Sequence, residues 1–133
     1  MFQTPGQKFA VTFGAVYLLI GLAGFVVTGF DQFAGETYDD TLVVFPLNPL
    51  HNIVHLALGV AWLIAAPRPH LARQANLLIG GVLGLVTVLG ALGILRFLAI
   101  ESLGSPDNFL HLVTAALSLY FGTATETTEA STV

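Results

Sequence analysis

The chain contains no cysteine, which excludes disulfide bonds, thiolate metal sites and covalently attached c-type haem. Charged residues are also scarce, at 9% of the chain, whereas a typical soluble domain carries about 25%. Only four residues are lysine or arginine, so no basic patch is available for nucleic acid. We therefore expect neither a nucleic-acid partner nor a surface adapted to water alone.

Apolar residues make up 55% of the chain and are gathered in four long runs. These runs cover residues 9–30, 49–66, 74–100 and 106–122. A helix needs about 20 residues to cross a bilayer, with a range of about 17 to 25. The runs therefore predict an all-α integral membrane four-helix bundle that forms one domain over residues 1–122. Residues 123–133 are polar and have no apolar period, so we expect a disordered C-terminal tail.

The basic residues predict an orientation in the membrane. Lys8 precedes the first run, and Arg68 and Arg73 lie between the second and the third. Basic loops stay in the cytoplasm, so both termini are expected to be cytoplasmic in a multi-pass protein of a bacterial inner membrane. Asn48 before Pro49 predicts an N-cap with proline at the first helical position. The second and fourth helices then begin at the extracytoplasmic side.

A short polar pattern occurs twice at these helix starts. Residues 52–56 and 108–112 both read Asn-x-x-His-Leu, at an offset of 56 residues. At the same offset, His51 aligns with Asp107. Residues four positions apart share one helix face, so each copy presents two polar side chains together. Polar groups within apolar spans are costly and usually have a function, so we expect the chemistry of the protein here.

A second, weaker repeat links the first and third runs. Residues 18–21 and 77–80 both read Leu-Leu-Ile-Gly, at an offset of 59 residues. Together the two repeats predict a duplicated helical hairpin, whose halves are related by an axis near the membrane normal. His55 and His111 are then expected at equal depth.

Three interpretations of the polar cluster stay open at this point. In the first, the cluster is structural: Asn52 and Asn108 bond to backbone groups near the neighbouring helix ends. His55 and His111 bond across the bundle or to carbonyls in the loop at residues 31–47, and water wets His51 and Asp107 in the first helical turns. Hydrogen bonds between helices in membranes contribute only about 0.6 kcal/mol on average, but they fix the register of packing.

The other two interpretations involve a cofactor. In one, His51, His55 and His111 supply nitrogen and Asp107 supplies oxygen to a divalent metal ion such as Zn²⁺. In the other, His55 and His111 are the two axial ligands of haem b, held between facing helices as in other bundle cores.

Catalysis is not indicated by any motif. The sequence has no nucleophile elbow, no phosphate-binding glycine loop and no His-Glu-x-x-His zinc motif. It therefore favours a small non-catalytic membrane protein, an accessory or self-associating subunit of a bacterial membrane assembly. Its expected partners are the lipid bilayer and other membrane subunits or copies of itself. The alternative is a redox-associated protein that binds haem b or a divalent metal through His55 and His111.

The motifs carry a family resemblance. Residues 48–56, read with residues 107–112, resemble an uncharacterised bacterial family of four-helix membrane proteins, the domain of unknown function 4383. The likeness covers about residues 9–122 and implies a four-helix membrane fold without an assigned activity. A looser similarity, of topology only, links the chain to DoxX-like membrane proteins, which appear near redox systems.

Overall fold

Four helices form the described part of the chain, which in this computed structural model comprises residues 2–36 and 39–130. They are α1 (Pro5–Thr28), α2 (Pro49–Ala65), α3 (Pro69–Ala91) and α4 (Pro106–Ala130). A two-stranded antiparallel hairpin, β1 (Thr41–Leu42) and β2 (Phe45–Pro46), precedes α2. A single 3₁₀ turn at Arg96–Leu98 lies between α3 and α4. The prediction of a helical fold with four helices is confirmed.

Two of the helices are long and apolar enough to cross a membrane, namely α1 and α3. The apolar helix α2 is shorter, with 17 residues. The most extensive contacts join α1 to α2 and α3 to α4, and smaller contacts join α1 to both α3 and α4. The helices therefore pack mainly as two hairpins, α1 with α2 and α3 with α4.

Side-chain caps fix where the first two helices begin. The backbone N–H of Gln7 donates to the Thr4 hydroxyl at 3.1 Å, and the Thr4 N–H donates to the Gln7 side chain at 3.2 Å. At α2 the backbone N–H of His51 donates to Asn48 Oδ1 at 2.8 Å, which confirms the predicted N-cap. The amide of Asn48 also donates to the carbonyl of Phe97 at 2.8 Å. Asn48 therefore joins the start of α2 to the segment that follows α3.

The third helix is shorter at its C-terminal end than the sequence predicts. It ends at Ala91 rather than at residue 100, and Gly93 adopts a left-handed backbone conformation with φ of +72°. Glycine reaches this conformation without the steric cost that other residues meet. The chain then turns back, and Leu95, Leu98 and Ile100 form a buried cluster that packs on α2 and α3. Their apolar character therefore reflects a folded cap and not more membrane-spanning helix.

The fourth helix is longer than predicted. It continues to Ala130, over residues 123–130 of the predicted disordered tail; residues 131–133 of that tail lie outside the described residues. Alanine and glutamate in this stretch are good helix formers. The Thr123 hydroxyl donates to the carbonyls of Leu119 and Tyr120, a bond that a helical threonine makes to its preceding turn.

A buried asparagine connects all four helices far from the repeated motif. Asn76 of α3 accepts a hydrogen bond from the indole of Trp62 on α2 at 3.1 Å and donates to the carbonyl of Gly6 on α1 at 3.1 Å. The backbone carbonyl of Asn76 accepts a hydrogen bond from the Ser118 hydroxyl on α4 at 2.6 Å. Asn76, Trp62 and Ser118 are fully buried. This node fixes the mutual register of the helices.

We expect Asn76→Leu to lower the free energy of unfolding by about 2–4 kcal/mol, because it leaves a buried N–H and a buried C=O without partners. Ser118→Ala is the milder comparison, since it removes one bond and keeps the Asn76 side chain, and should cost about 1 kcal/mol. Unfolding by sodium dodecyl sulfate in mixed micelles measures both. Equal stability of Asn76→Leu and the wild type would show that the node is not a stabilising contact.

Candidate metal centre

Three histidines from two helices converge inside the protein. His51 and His55 lie one turn apart on α2, and His111 comes from α4. One ring nitrogen from each lies within 4.8 Å of the others, and all three side chains are buried. The ring centroids of His51 and His55 are 4.5 Å apart, and that of His111 lies 5.9–6.0 Å from both. The two copies of the repeated motif therefore meet at one point.

A carboxylate completes this group. Asp107 Oδ1 lies 3.7 Å from His51 Nε2. The exposed fractions of the Asp107 and His51 side chains are 0% and 1%, so the interpretation that water wets them in the first helical turns is wrong. The segment that follows α3 packs over the start of α2 and buries it. We call His51, His55, Asp107 and His111 the polar cluster.

Few of the polar atoms in this cluster are satisfied. Among the described residues, no hydrogen bond of normal geometry is found for either ring nitrogen of His51 and His55, for Nδ1 of His111 or for either carboxylate oxygen of Asp107. The backbone of Leu98 lies near the His51 ring. More than 90% of buried polar groups in proteins have a partner, and each group without one costs roughly 1–3 kcal/mol. A ligand bound between these atoms would satisfy several of them at once.

The two motif asparagines lie beside the cluster and have a structural role. The Asn52 amide donates to the Thr28 hydroxyl, at the end of α1, at 3.0 Å. The Asn108 amide donates to the carbonyl of Ser102, ahead of α4, at 2.6 Å. Both side chains are buried. The sequence predicts backbone partners near helix ends for both asparagines. Asn52 instead bonds to a side-chain hydroxyl at the end of α1, and Asn108 bonds to a backbone carbonyl in the segment between α3 and α4.

Each asparagine packs against a glycine of the preceding helix. A methyl group on Gly24 of α1 would overlap the Asn52 amide oxygen, and one on Gly90 of α3 would overlap the Asn108 amide oxygen. Only glycine leaves room for these two side chains. Gly24 and Gly90 were not selected by sequence reasoning, although each lies near the C-terminal end of its apolar run.

A second pair of glycine contacts repeats further along the helices. A Cβ on Gly14 would lie 2.9 Å from Leu63, and a Cβ on Gly80 would lie 2.9 Å from Leu119. The predicted equivalence of residues 18–21 and 77–80 is not supported, because Gly21 instead packs against Leu56. Leucine and glycine are so frequent in apolar helices that four matching residues did not fix the register.

Two cavities adjoin the cluster. The larger, about 170 Å³, lies between α1, α4 and the hairpin, and His55 and Asp107 form part of its wall. The smaller, about 50 Å³, lies between α2 and α3 under Leu98 and Ile100. His55 therefore borders both cavities.

Several further residues surround the cluster. Tyr17 of α1 packs edge-on against His55, with ring centroids 5.3 Å apart. The hairpin residues Leu42 and Phe45 line the larger cavity, in agreement with the apolar character of that stretch in the loop. Leu98 and Ile100 were assigned to a helix that ends before them, so their covering role had no signal in the sequence.

Comparison with known proteins identifies one family. The model of the family described as Domain of unknown function (DUF4383) matches residues 7–124. No curated protein and no solved structure matches the chain. The looser similarity to DoxX-like membrane proteins is not shown by these comparisons.

Proposed function

The chain belongs to the family described as domain of unknown function 4383, and we propose that this member is a membrane protein that holds one divalent transition-metal ion. The ligands are His51, His55 and His111 through nitrogen and Asp107 through oxygen. The observation that carries this proposal is the convergence of three buried imidazoles and a buried carboxylate, most of whose polar atoms have no hydrogen-bond partner among the described residues.

The distances are compatible with a tetrahedral ion after small side-chain movements. Zn²⁺ binds histidine nitrogen at about 2.0–2.1 Å, which places tetrahedral ligand atoms about 3.3 Å apart. The three nitrogens already lie within 4.8 Å of one another, and Asp107 Oδ1 lies 3.7 Å from His51 Nε2. Rotation of the imidazoles about their side-chain bonds closes the difference. Imidazole suits Zn²⁺ as well as other first-row metals.

Haem b with His55 and His111 as axial ligands is the weaker alternative. The His51 ring lies 4.5 Å from the His55 ring and 6.0 Å from the His111 ring, where the macrocycle would have to pass between the two ligands. The cavities beside the cluster, about 170 and 50 Å³, are also smaller than the roughly 300–1,000 Å³ of pockets for larger organic ligands. The arrangement thus favours a bare ion.

We propose that all four helices span the inner membrane of a bacterium as a bundle, with both termini in the cytoplasm and the polar cluster near the extracytoplasmic side. The distribution of side chains supports this placement. Large apolar residues are exposed along the helices, including Leu19, Val26, Ile64 and Leu78. In contrast, the four asparagines and three of the four histidines are buried. Soluble monomers rarely expose apolar surface on this scale.

The glycine contacts support an internal duplication in which α1 aligns with α3 at a different offset from the one predicted by the Leu-Leu-Ile-Gly repeat. Gly14 and Gly24 of α1 take the places of Gly80 and Gly90 of α3, and both pairs are 66 residues apart. Their partners on α2 and α4, Leu63 with Leu119 and Asn52 with Asn108, are both 56 apart. Two independent contacts thus give one alignment of the two hairpins. In this alignment the polar cluster lies across a pseudo-two-fold axis.

The proposed role is non-catalytic. Four protein ligands complete the coordination sphere of a tetrahedral ion, and zinc sites without an open coordination position are structural. The ion would join α2 to α4 within an accessory or self-associating subunit of a membrane assembly. Gly81 and Gly84 of α3 have nothing within 4 Å of a Cβ position, so a neighbouring helix could approach this surface closely.

Metal content provides the test. Protein purified in lipid nanodiscs, stripped with a chelator and reloaded with Co²⁺ is expected to retain one ion per chain through desalting. The bound ion should show the intense visible absorption of tetrahedral cobalt, and Zn²⁺ should displace it. Protein that retains no ion after reloading would contradict the proposal.

A further inference from the structure

The larger cavity beside the polar cluster has the dimensions of a single ring. It measures about 170 Å³, and its apolar walls come from α1, α4 and the hairpin. The lining side chains are Ile20, Leu42, Val43, Phe45, Leu47, His55, Asp107 and Leu110. An apolar protein cavity of about 150 Å³ accommodates benzene. One six-membered ring therefore fits this space.

One end of the cavity is polar and unsatisfied. Among the described residues that line it, His55 and Asp107 are the polar ones, and both are fully buried. No partner was found, within the described chain, for either nitrogen of His55 or either oxygen of Asp107. When one atom of each binds a metal ion, a second nitrogen and a second oxygen remain for another bond. An imidazole N–H donates and a carboxylate accepts, and a hydroxyl group can satisfy both at once.

The smaller cavity is the equivalent space in the other hairpin. Its polar lining residues among those described are His51, His55 and His111, without a carboxylate. Under the offsets of 66 and 56 residues, the walls correspond pairwise: Ile20 with Val86, Leu110 with Val54, His55 with His111 and Asp107 with His51. The smaller cavity measures about 50 Å³, and Leu98 and Ile100 close it. It has no room for a ring. The two halves therefore differ where a ligand would bind.

We propose that the larger cavity binds a monocyclic aromatic alcohol of the phenol class. Its ring lies between Ile20 and Leu110, and its hydroxyl group bonds to His55 and Asp107. The hairpin covers the ring through Leu42 and Phe45. This inference rests on the proposed function only in that the two sites share His55 and Asp107.

Binding of 4-fluorophenol to the protein in nanodiscs tests the proposal, with ¹⁹F NMR as the readout and empty nanodiscs as the blank. We expect saturable binding of one molecule per chain. Fluorobenzene, which lacks the hydroxyl, should bind at least about tenfold more weakly, because the buried polar atoms stay unpaired. Equal affinities would overturn the proposal and identify the cavity as apolar space for a lipid chain.

A matched pair of variants locates the binding. Ile20→Phe fills the cavity and should weaken 4-fluorophenol binding at least about tenfold, the scale that a changed hydrophobic pocket produces. Leu19→Phe adds the same ring one residue away on the exposed face, where 63% of the Leu19 side chain is accessible, and should change affinity less than twofold. Unchanged binding by Ile20→Phe would contradict the proposal. If Ile20→Phe does not fold, the comparison with fluorobenzene on the wild type decides.

Metal content measured on the same samples separates the two proposals. Stoichiometric metal without 4-fluorophenol binding would reject the ring site and leave the metal centre standing. Binding of 4-fluorophenol to protein that holds no metal after loading would reject the metal centre and leave the ring site standing.

Discussion

Replacing His111 with alanine is expected to lower the affinity for Zn²⁺ or Co²⁺ by roughly 100-fold or more, since even residues that only orient a metal ligand contribute 10- to 100-fold. His111 is the one imidazole that α4 contributes to the cluster, so its loss leaves Asp107 as the remaining α4 ligand and weakens the proposed metal link between α2 and α4. Competition with a chromophoric chelator measures the affinity. His51→Ala and His55→Ala should have effects of similar size.

The fourth histidine of the chain is the matched control. His70 lies in the first turn of α3, is exposed and belongs to no metal-binding group found among the described residues. His70→Ala should therefore bind metal as the wild type does. A loss of affinity in His70→Ala equal to that in His111→Ala would show that the ion binds at the surface and not in the polar cluster.

Gly24→Ala and Gly90→Ala are each expected to lower the free energy of unfolding by about 2–3 kcal/mol. The added methyl group overlaps the amide oxygen of Asn52 in one case and of Asn108 in the other, and both amides are buried and bonded. Equilibrium unfolding by sodium dodecyl sulfate gives the free energies. Because the two contacts are equivalent in the proposed duplication, the two substitutions should have similar costs.

Two other glycines, both on α3, serve as controls. A Cβ at Gly81 or Gly84 would have no neighbour within 4 Å in the described chain. Replacing a helical glycine with alanine at such positions stabilises a protein by roughly 0.5–1 kcal/mol through lower backbone entropy. If Gly24→Ala and Gly90→Ala were as stable as these control variants, the asparagines would not pack as closely as described.

The sequence located the polar cluster because its signal is local. Histidines at positions i and i+4 must share a helix face, and the 56-residue repeat implied that His55 and His111 have equivalent places. Whether these side chains would be wet or buried depended on contacts between distant segments. His51 is buried because residues 92–100 leave the helix and pack over the start of α2, whereas Asp107 lies beneath the hairpin. The sequence does not distinguish an apolar run in such a cap from one in a long helix.

Other features had no periodic signal at all. Asn76 is a single amide in an apolar helix, and its role as a node depends on Trp62, Gly6 and Ser118 from three other helices. The register of the duplication was hidden because glycine and leucine recur throughout α1 and α3. It became visible only through which residue each glycine contacts. Helix type and number follow from composition, whereas register follows from packing.

X-ray absorption at the zinc edge of the loaded protein in nanodiscs tests the metal centre most directly. The account predicts four nitrogen and oxygen ligands at about 2.0–2.1 Å, with the outer-shell scattering of three imidazole rings in the wild type. His111→Ala should leave two rings at most. A six-coordinate oxygen shell without imidazole scattering in the wild type would contradict the account, because the ion would then lie outside the polar cluster.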